Sequence, residues 1–146
     1  MAGSWIDARF SQDYSNSTTA VKAGNKLPGI ADRFVFSELL WSSQSLDGLK
    51  PKSNQGTRAV LELTNAGKIF ANDVNTVSKI GYSTLNAKLS QGWAVGSATL
   101  KAYGRVDNLT NKRHVGSVIV NQAAGQFYEL ARGRNYTLGL RLVLPI

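Results

Sequence analysis

Few side chains in this sequence have the types and spacing that catalysis or metal binding needs. The chain has no cysteine and one histidine, His114, so it offers neither a zinc–thiolate site nor a His-containing triad. Asp73 lies between Asn72 and Asn75 in an oxygen-rich stretch that could ligate a hard cation, but the spacing matches no calcium loop and favours an Asx turn. We therefore expect a protein that is not an enzyme and that carries no cofactor and no metal.

The basic charge of the chain does not have the pattern of a nucleic-acid-binding protein. Its 146 residues include 17 Lys and Arg against 9 Asp and Glu, which gives a formal charge of +8. These basic residues are scattered from Arg9 to Arg141, and the only adjacent pair is Lys112-Arg113. Without a basic block or an aromatic-and-basic run, we expect no nucleic-acid partner, and side chains that are solvated or line a polar face.

Alternation with a period of two runs along most of the chain and predicts strands. It is clearest at the end, where one side of a strand would carry Tyr136, Leu138, Leu140, Leu142 and Leu144 and the other Asn135, Thr137, Gly139, Arg141 and Val143. Similar patterns predict six strands in all, near residues 6–10, 33–41, 57–64, 83–89, 98–106 and 135–144. The fold class predicted is all-β, an antiparallel up-and-down meander.

The connections between these strands alternate between long and short. Three are long and polar: Gln12–Asp32, Ala71–Lys79 and Leu109–Gly133. Short ones are expected at Ser90-Gln91-Gly92 and, less tightly, at Ser43–Gly56. This predicts three hairpins with long loops at one end and turns at the other, and Val115–Val120 and Phe127–Leu130 as extensions of the last pair.

The side of each strand opposite the leucines is unusually polar for a half-buried sheet. It carries Asp7, Arg9, Arg58, Glu62, Lys88, Lys101, Arg105 and Arg141. Aromatic residues lie near the expected strand ends, as in the interfacial girdles of membrane barrels: Trp5, Phe10, Trp41, Tyr82, Trp93 and Tyr136. Alternation also occurs in soluble antiparallel sheets, so these patterns leave open a membrane barrel and a soluble β domain.

Several motifs, in the same order along the chain, resemble those of TonB-dependent outer-membrane receptors of the ferric-siderophore type. Asp107-Asn108-Leu109 resembles the Asn-Leu motif near the end of the penultimate strand, and Gly133-Arg134 the start of the final one. Upstream, Gly24–Ile30, Phe36–Trp41 and Asn72–Thr76 are also similar to stretches of this family. The chain departs from the family at His114, where an aromatic residue is usual, and at Ala31, where the family has a second proline.

The resemblance implies that residues 1–146 are the C-terminal part of a receptor barrel of twenty-two strands, with the plug and the earlier strands absent. Such a segment would lie in the bacterial outer membrane and help take up an iron-siderophore-type ligand, without being transport-competent alone. The implied partners are outer-membrane lipid, the remaining barrel and plug, the barrel-assembly machinery and, through the missing plug, the TonB complex. The assembly signal would consist of Tyr136, Gly139, Leu142 and Leu144, although the chain ends in Ile146 and not in the usual aromatic residue.

Two alternatives remain from the sequence. Gly3-Ser4-Trp5 resembles the opening of lipocalins, which are small soluble ligand-binding barrels of similar length. A complete outer-membrane barrel of eight strands would also suit the length. A lipocalin, however, would need an apolar interior, whereas the side opposite the leucines is charged.

Two smaller expectations concern charged groups. A last hairpin folded about Ala124 would place Asp107 opposite Arg141 in a lumen ion pair, and a bulge near Asn111 would shift its partner to Arg134. In the long loops, the resemblance implies ligand contacts, and basic residues could attract an anionic iron chelate: Lys22, Lys26, Lys79, Arg132 and Arg134.

Overall fold

The structure of the chain is a computed structural model that describes residues 1–16, 19–44, 46–47, 50–51 and 54–144. These residues form strands, turns and loops, and none of them forms a helix long and apolar enough to cross a membrane. The strands are β1 (Ala2–Trp5), β2 (Tyr14–Asn16), β3 (Thr19–Val21), β4 (Arg33–Ser42), β5 (Leu46–Asp47), β6 (Lys50–Pro51), β7 (Gly56–Ala66), β8 (Ile69–Phe70), β9 (Ser78–Lys79), β10 (Tyr82–Val95), β11 (Ala98–Asp107), β12 (Val115–Val118), β13 (Tyr128–Leu130) and β14 (Asn135–Val143).

The main sheet has six strands in the order β1-β4-β7-β10-β11-β14. The strand pairs β1–β4, β10–β11 and β11–β14 are antiparallel. The predictions of an all-β fold and of six main strands, each paired with the next along the chain, are therefore confirmed. The remaining described strands form four small hairpins: β2–β3, β5–β6, β8–β9 and β12–β13.

Two expected boundaries are wrong. The first strand is Ala2–Trp5, and the expected strand at residues 6–10 contributes only one isolated bridge, from Arg9 to Lys26. The expected turn at Ser90-Gln91-Gly92 lies inside β10, and the chain turns instead at Gly96, whose φ is +59°. Gly92 is required for a close approach and not for a turn, because a Cβ there would lie 2.0 Å from the carbonyl oxygen of Asn54.

The long connection after β11 is a hairpin of its own and not an extension of the main strands, because β12 pairs only with β13 in a separate two-stranded sheet. A register shift between Val115 and Ser117 interrupts this pairing. The expected short connection at Ser43–Gly56 lies partly outside the described residues.

The chain divides into two compact units, described separately below. The first, here the loop unit, comprises Met1–Phe36, Thr64–Ser83 and Arg113–Arg132 and so contains most of the three long loops. The second, here the strand unit, comprises Ser37–Leu63, Thr84–Lys112 and Gly133–Ile146.

Candidate functional site

The leucine-bearing side of the strand unit is exposed and not packed. Directly opposite residues of antiparallel strands share a face, and the register pairs Leu138 with Gly104 and Leu140 with Ala102. Glycine and alanine are too small to cover the facing leucines, and Leu138 is 87% and Leu140 77% exposed. We call this side the leucine face; its exposed large residues include Leu61, Leu63, Leu89, Trp93, Leu138, Leu140 and Leu142.

A shallow cavity of about 520 Å³ lies in the leucine face. Its floor contains the small residues Ala59, Ala87 and Gly104, and Leu61 and Leu138 also line it. Its surface is almost wholly apolar, so it lacks the few convergent polar groups that usually orient a bound small molecule.

The opposite side of the strand unit, here the polar face, carries a charged network. The guanidinium of Arg105 donates two hydrogen bonds to Glu62, from Nη1 to Oε1 at 2.9 Å and from Nη2 to Oε2 at 2.7 Å. Its Nε donates to Oδ1 of Asp107 at 2.7 Å. The side chains of Glu62 and Arg105 are only 18% and 28% exposed, so this bidentate pair is partly withdrawn from water.

The register corrects the expected pair between Asp107 and Arg141. Asp107 lies opposite Asn135, and Arg141 lies opposite Lys101. Since Arg141 is six residues beyond Asn135, it is about 20 Å further along the strand. The alternative partner, Arg134, forms no ion pair with Asp107 either; the carboxylate bonds Arg105 on its own strand.

The residues of the Asn-Leu motif form a closed turn at the end of β11, which explains the altered register. Oδ1 of Asn108 accepts a hydrogen bond from the backbone N–H of Lys112, and its Nδ2 donates to the Lys112 carbonyl, both at 2.9 Å. Asn108 has φ +50° and is 5% exposed. The turn inserts extra residues on the β11 side of this connection. The midpoint between paired residues of β11 and β14 is therefore Asn121 and not Ala124.

Neighbouring strands hold this turn in place. The backbone N–H of Asn108 donates to Oδ1 of Asn86 at 2.9 Å, and the N–H of Leu109 donates to the carbonyl of Leu85 at 2.7 Å. Asn86 also donates to Glu62 at 3.3 Å, which joins the turn to the charged network.

The structure brings together the two stretches that resemble receptor motifs. Oδ1 of Asn111, within the turn, accepts a hydrogen bond from the backbone N–H of Arg134 at 3.0 Å. A Cβ on Gly133 would lie 3.2 Å from the same oxygen, so the absence of a side chain at Gly133 eases this contact. The motif residues therefore have a visible structural role where β14 begins.

The four residues of the expected assembly signal separate into two sets. Tyr136, Leu142 and Leu144 are 69%, 59% and 64% exposed. Gly139 lies on the polar face opposite Tyr103, where a Cβ would come within 2.3 Å of the tyrosine ring. The ring of Tyr103 thus covers the glycine on the neighbouring strand, an arrangement known to support glycines in sheets.

In the loop unit, Asp73 connects all three long loops. Its Oδ2 accepts hydrogen bonds from Tyr14 Oη at 2.6 Å and from Asn121 Nδ2 at 2.9 Å. Its backbone carbonyl accepts one from Asn25 Nδ2 at 2.9 Å. No group of three or more His, Cys, Asp or Glu residues that could hold a metal occurs in the described part of the chain. The hydrogen bonds of Asp73 thus link one residue of each of the other two long loops, and a second residue of the first, to this oxygen-rich stretch.

The stretch around Asp73 forms a backbone β-turn over residues 72–75, and the side chain of Asn72 bonds a residue five positions on, where an Asx turn would bond two positions on. Asn72 Oδ1 accepts a hydrogen bond from the backbone N–H of Val77 at 3.1 Å, and the N–H of Asn75 donates to the carbonyl of Asn72 at 3.0 Å. Asn75, with φ +58°, then bonds both backbone groups of Lys26 in the first long loop.

Two of the basic loop residues are paired with carboxylates. Lys22 bonds Asp13 and Lys26 bonds Asp7, each at 2.8 Å. The pKa of Asp13 lies below its ordinary value because the backbone N–H of Ala23 and then Lys22 stabilise the carboxylate. Of the other expected cations, Arg132 belongs to the loop unit, whereas Arg134 belongs to the strand unit.

Lys79 is the buried cation of the loop unit and lies beside an aromatic pair. Its Nζ donates to the carbonyl of Val115 at 3.0 Å and lies 4.5 Å from the ring centroid of Tyr82, which is stacked on His114 at 4.2 Å. Burial lowers the pKa of Lys79. Lys79 is 3% exposed, so it is not open to a ligand.

Sequence reasoning missed the contact between Glu62 and Arg105. Alternation places both residues on the polar side of their strands, but it does not give the register of β7, β10 and β11. The available signal for this contact is the opposite charge of the two residues, which lie on strands separated by one strand with Asn86 between them.

No protein-family model matches this chain.

Proposed function

We propose that this chain forms the C-terminal strands of a TonB-dependent outer-membrane receptor and takes part in the uptake of an iron-siderophore-type ligand. The observation that carries the proposal is the exposure of the leucine face, where Leu138 is 87% exposed. On the opposite face, Glu62 and Arg105 are partly buried. Strands with hydrocarbon on one side and water on the other have this inverted pattern.

The free energy available to the leucine face supports a membrane as its surroundings. Removing a leucine side chain from water contributes about 1.5–3 kcal/mol. Leu138, Leu140 and Leu142 alone could therefore supply roughly 3–7 kcal/mol, once their partial burial is allowed for. A contiguous apolar patch of this kind marks a protein or membrane contact surface.

The order of the strands favours a wider cylinder. β1 and β14 stand at the two ends of the six-strand order, each with a single neighbour in it. In hydrocarbon, each unpaired backbone group would cost several kcal/mol, so a spanning sheet has to close on itself. Six strands are fewer than the eight of the smallest bacterial membrane barrels, and we infer that further strands complete this one.

The soluble alternative has less support. A lipocalin-like barrel would direct its apolar side chains inward to enclose a ligand, whereas the leucines here are exposed and the charged face is the partly buried one. The resemblance to the receptor motifs favours the same choice, and the turn that begins at the Asn-Leu motif is hydrogen-bonded, through Asn111, to Arg134 of the second motif.

The test uses two adjacent residues on opposite faces. The chain lacks cysteine, so Leu140→Cys and Arg141→Cys each provide one labelling site. Each variant is made as the full chain, together with any further residues encoded in the same reading frame. A fluorophore is attached to the cysteine, and the protein is reconstituted in lipid vesicles. Nitroxide-labelled lipid should quench the label at position 140, and aqueous iodide should quench the label at position 141.

Two outcomes would contradict the proposal. Equal quenching of both labels by iodide would mean that the leucine face meets water. A chain that is monodisperse without detergent, with its leucines inaccessible to lipid, would favour the soluble barrel. The ligand is tested separately, by tryptophan fluorescence during titration with ferric chelates and with the iron-free chelators as controls.

A further inference from the structure

Four cations on the polar face of the strand unit stand apart from the Glu62–Arg105–Asp107 network. We call Arg58, Lys88, Lys101 and Arg141 the basic cluster. The register places Lys101 directly opposite Arg141, and Lys88 directly opposite Arg105. Like charges in directly opposite positions of a sheet are destabilising.

The basic cluster is not neutralised by the described carboxylates of its own unit. Arg58, Lys88 and Arg141 all lie close enough to repel the charge of Lys101. None of the four forms a salt bridge with a residue that the structure describes. The charge of Glu62 also reaches Lys88, but both carboxylate oxygens of Glu62 are bonded to Arg105. The ammonium of Lys88 lies 5.1 Å from the ring centroid of Tyr103.

A small recess in the strand unit gives part of this cluster the character of an anion site. Arg58 and Lys101 line it together with Ser42 and Ser90. Its volume of about 10 Å³ suits a single oxygen-sized group, and the lining supplies cationic and hydroxyl donors. A carboxylate oxygen could therefore receive charge-assisted hydrogen bonds there.

We propose that the basic cluster binds the carboxylates of an acidic protein segment that lies along the polar face. Lys101 and the position of Lys88 are separated by four residues along β11, which is about 13 Å. Successive Asp or Glu side chains of an extended segment are spaced to meet cations at such separated positions, whereas a single small anion carries no such repeat. The proposal goes beyond receptor function and does not depend on what covers the leucine face.

The probe is a synthetic peptide of repeated Glu-Ser pairs, with a Gln-Ser peptide of the same length as its neutral control. Binding to the full chain is measured by fluorescence anisotropy at low and at physiological salt. The Glu-Ser peptide should bind and the Gln-Ser peptide should not. Lys101→Gln and Arg141→Gln should each weaken binding about tenfold, as expected for the loss of a close charge pair.

Arg113→Gln is the matched control, because it removes one positive charge outside the cluster. It should weaken peptide binding by about twofold or less, through the long-range field alone. A second readout is thermal unfolding without peptide: Lys101→Gln should raise the midpoint, because it removes the repulsion from Arg141. If Lys101 only stabilised the fold, Lys101→Gln would lower the midpoint.

Three results would overturn the proposal. They are equal binding of the two peptides, equal losses for Arg113→Gln and the cluster variants, and displacement of the peptide by an equal concentration of inorganic phosphate. The last would identify a small-anion site. Should Lys101→Gln fail to fold, the exposed Arg141→Gln variant decides by the same binding criteria.

Discussion

The two units differ in what they bury. Every fully buried hydrophobic residue of the described chain belongs to the loop unit: Val21, Ala66 and Ala71. The buried polar residues of the strand unit are Ser90 and Asn108, while its leucines are exposed. The unit with longer regular strands thus has the smaller apolar interior.

This difference indicates two sources of stability. The loop unit is joined by its own polar contacts, such as those of Asp73, around a few small apolar residues. The strand unit has backbone ladders, the Glu62–Arg105 network and the Asn108 turn, but its leucines gain nothing until something outside the unit removes them from water. If the leucine face meets lipid, as proposed, substitutions in the strand unit should change stability most in lipid or detergent.

The largest effect is expected at Asn108. Asn108→Ala removes both side-chain hydrogen bonds to Lys112 and places alanine at a positive φ, which should cost roughly 2–4 kcal/mol of unfolding free energy. The measurement is urea unfolding in detergent micelles.

Asn108→Gly separates the two causes. Glycine accepts the positive φ without strain but cannot close the turn, so about half of the alanine effect should remain. A glycine variant as stable as the native chain would show that the turn is held by backbone contacts alone. Equal losses in the two variants would show that strain contributes little.

Arg105 should have the next largest effect. Arg105→Met leaves Glu62 and Asp107 without their cation in a partly buried position, and we expect a loss of about 2 kcal/mol. The expected loss is smaller than for a fully buried pair, because the Arg105 side chain remains 28% exposed.

A double-mutant cycle with Glu62→Gln tests the Arg105 prediction. The combined variant should lose less than the sum of the single variants, since neutralising Glu62 removes one of the two carboxylates left unpaired. Recovery should be incomplete because Asp107 stays charged. Strict additivity would mean that Glu62 and Arg105 do not stabilise each other.

The strands were predictable because their signal is local. Alternation at Leu138, Leu140 and Leu142 shows which side chains share a face, and only one structure, a strand, gives that period. The register between strands was not predictable, because it depends on how many residues of a connection form turns and so do not pair. The turn closed by Asn108 shifted Asp107 from Arg141 to Asn135.

The candidate site was predictable to a smaller extent. The polar face was expected, but the bond between Glu62 and Arg105 needed the relative registers of three strands. Gly92 was expected in a turn, since glycine serves both for turns and for close approach, and only the position of Asn54 distinguishes the two. The Asn-rich sequence predicts a turn at Asn72, but not the hydrogen bond that its side chain accepts from the backbone N–H of Val77.

A smaller effect is expected in the loop unit. Tyr14→Phe removes the hydroxyl that donates to Asp73, while Asn121 still bonds the same oxygen, so the loss should be about 0.5–1 kcal/mol. In the Tyr14→Phe variant, amide hydrogen exchange should be faster in the three long loops and unchanged in β11 and β14. Faster exchange in those strands would mean that the two units do not unfold separately.

The smallest effect is a pH dependence at Asp13, which lies in the first long loop and is fully exposed. Its pKa is lowered in the folded chain, so the stability it contributes is complete above the ordinary value of 3.8 and is lost as the pH falls through the lowered pKa. The amide shift of Ala23, whose N–H donates to Asp13 at 2.7 Å, should report this midpoint. Lys22→Gln should raise the midpoint but leave it below 3.8, because the backbone N–H of Ala23 is the larger cause and Lys22 the smaller. A midpoint that returns to 3.8 in the Lys22→Gln variant would make the ion pair the main cause, and this part of the first long loop would then be held by screened surface charge, whereas Tyr14 and Asn25 of the same loop are held by hydrogen bonds to Asp73.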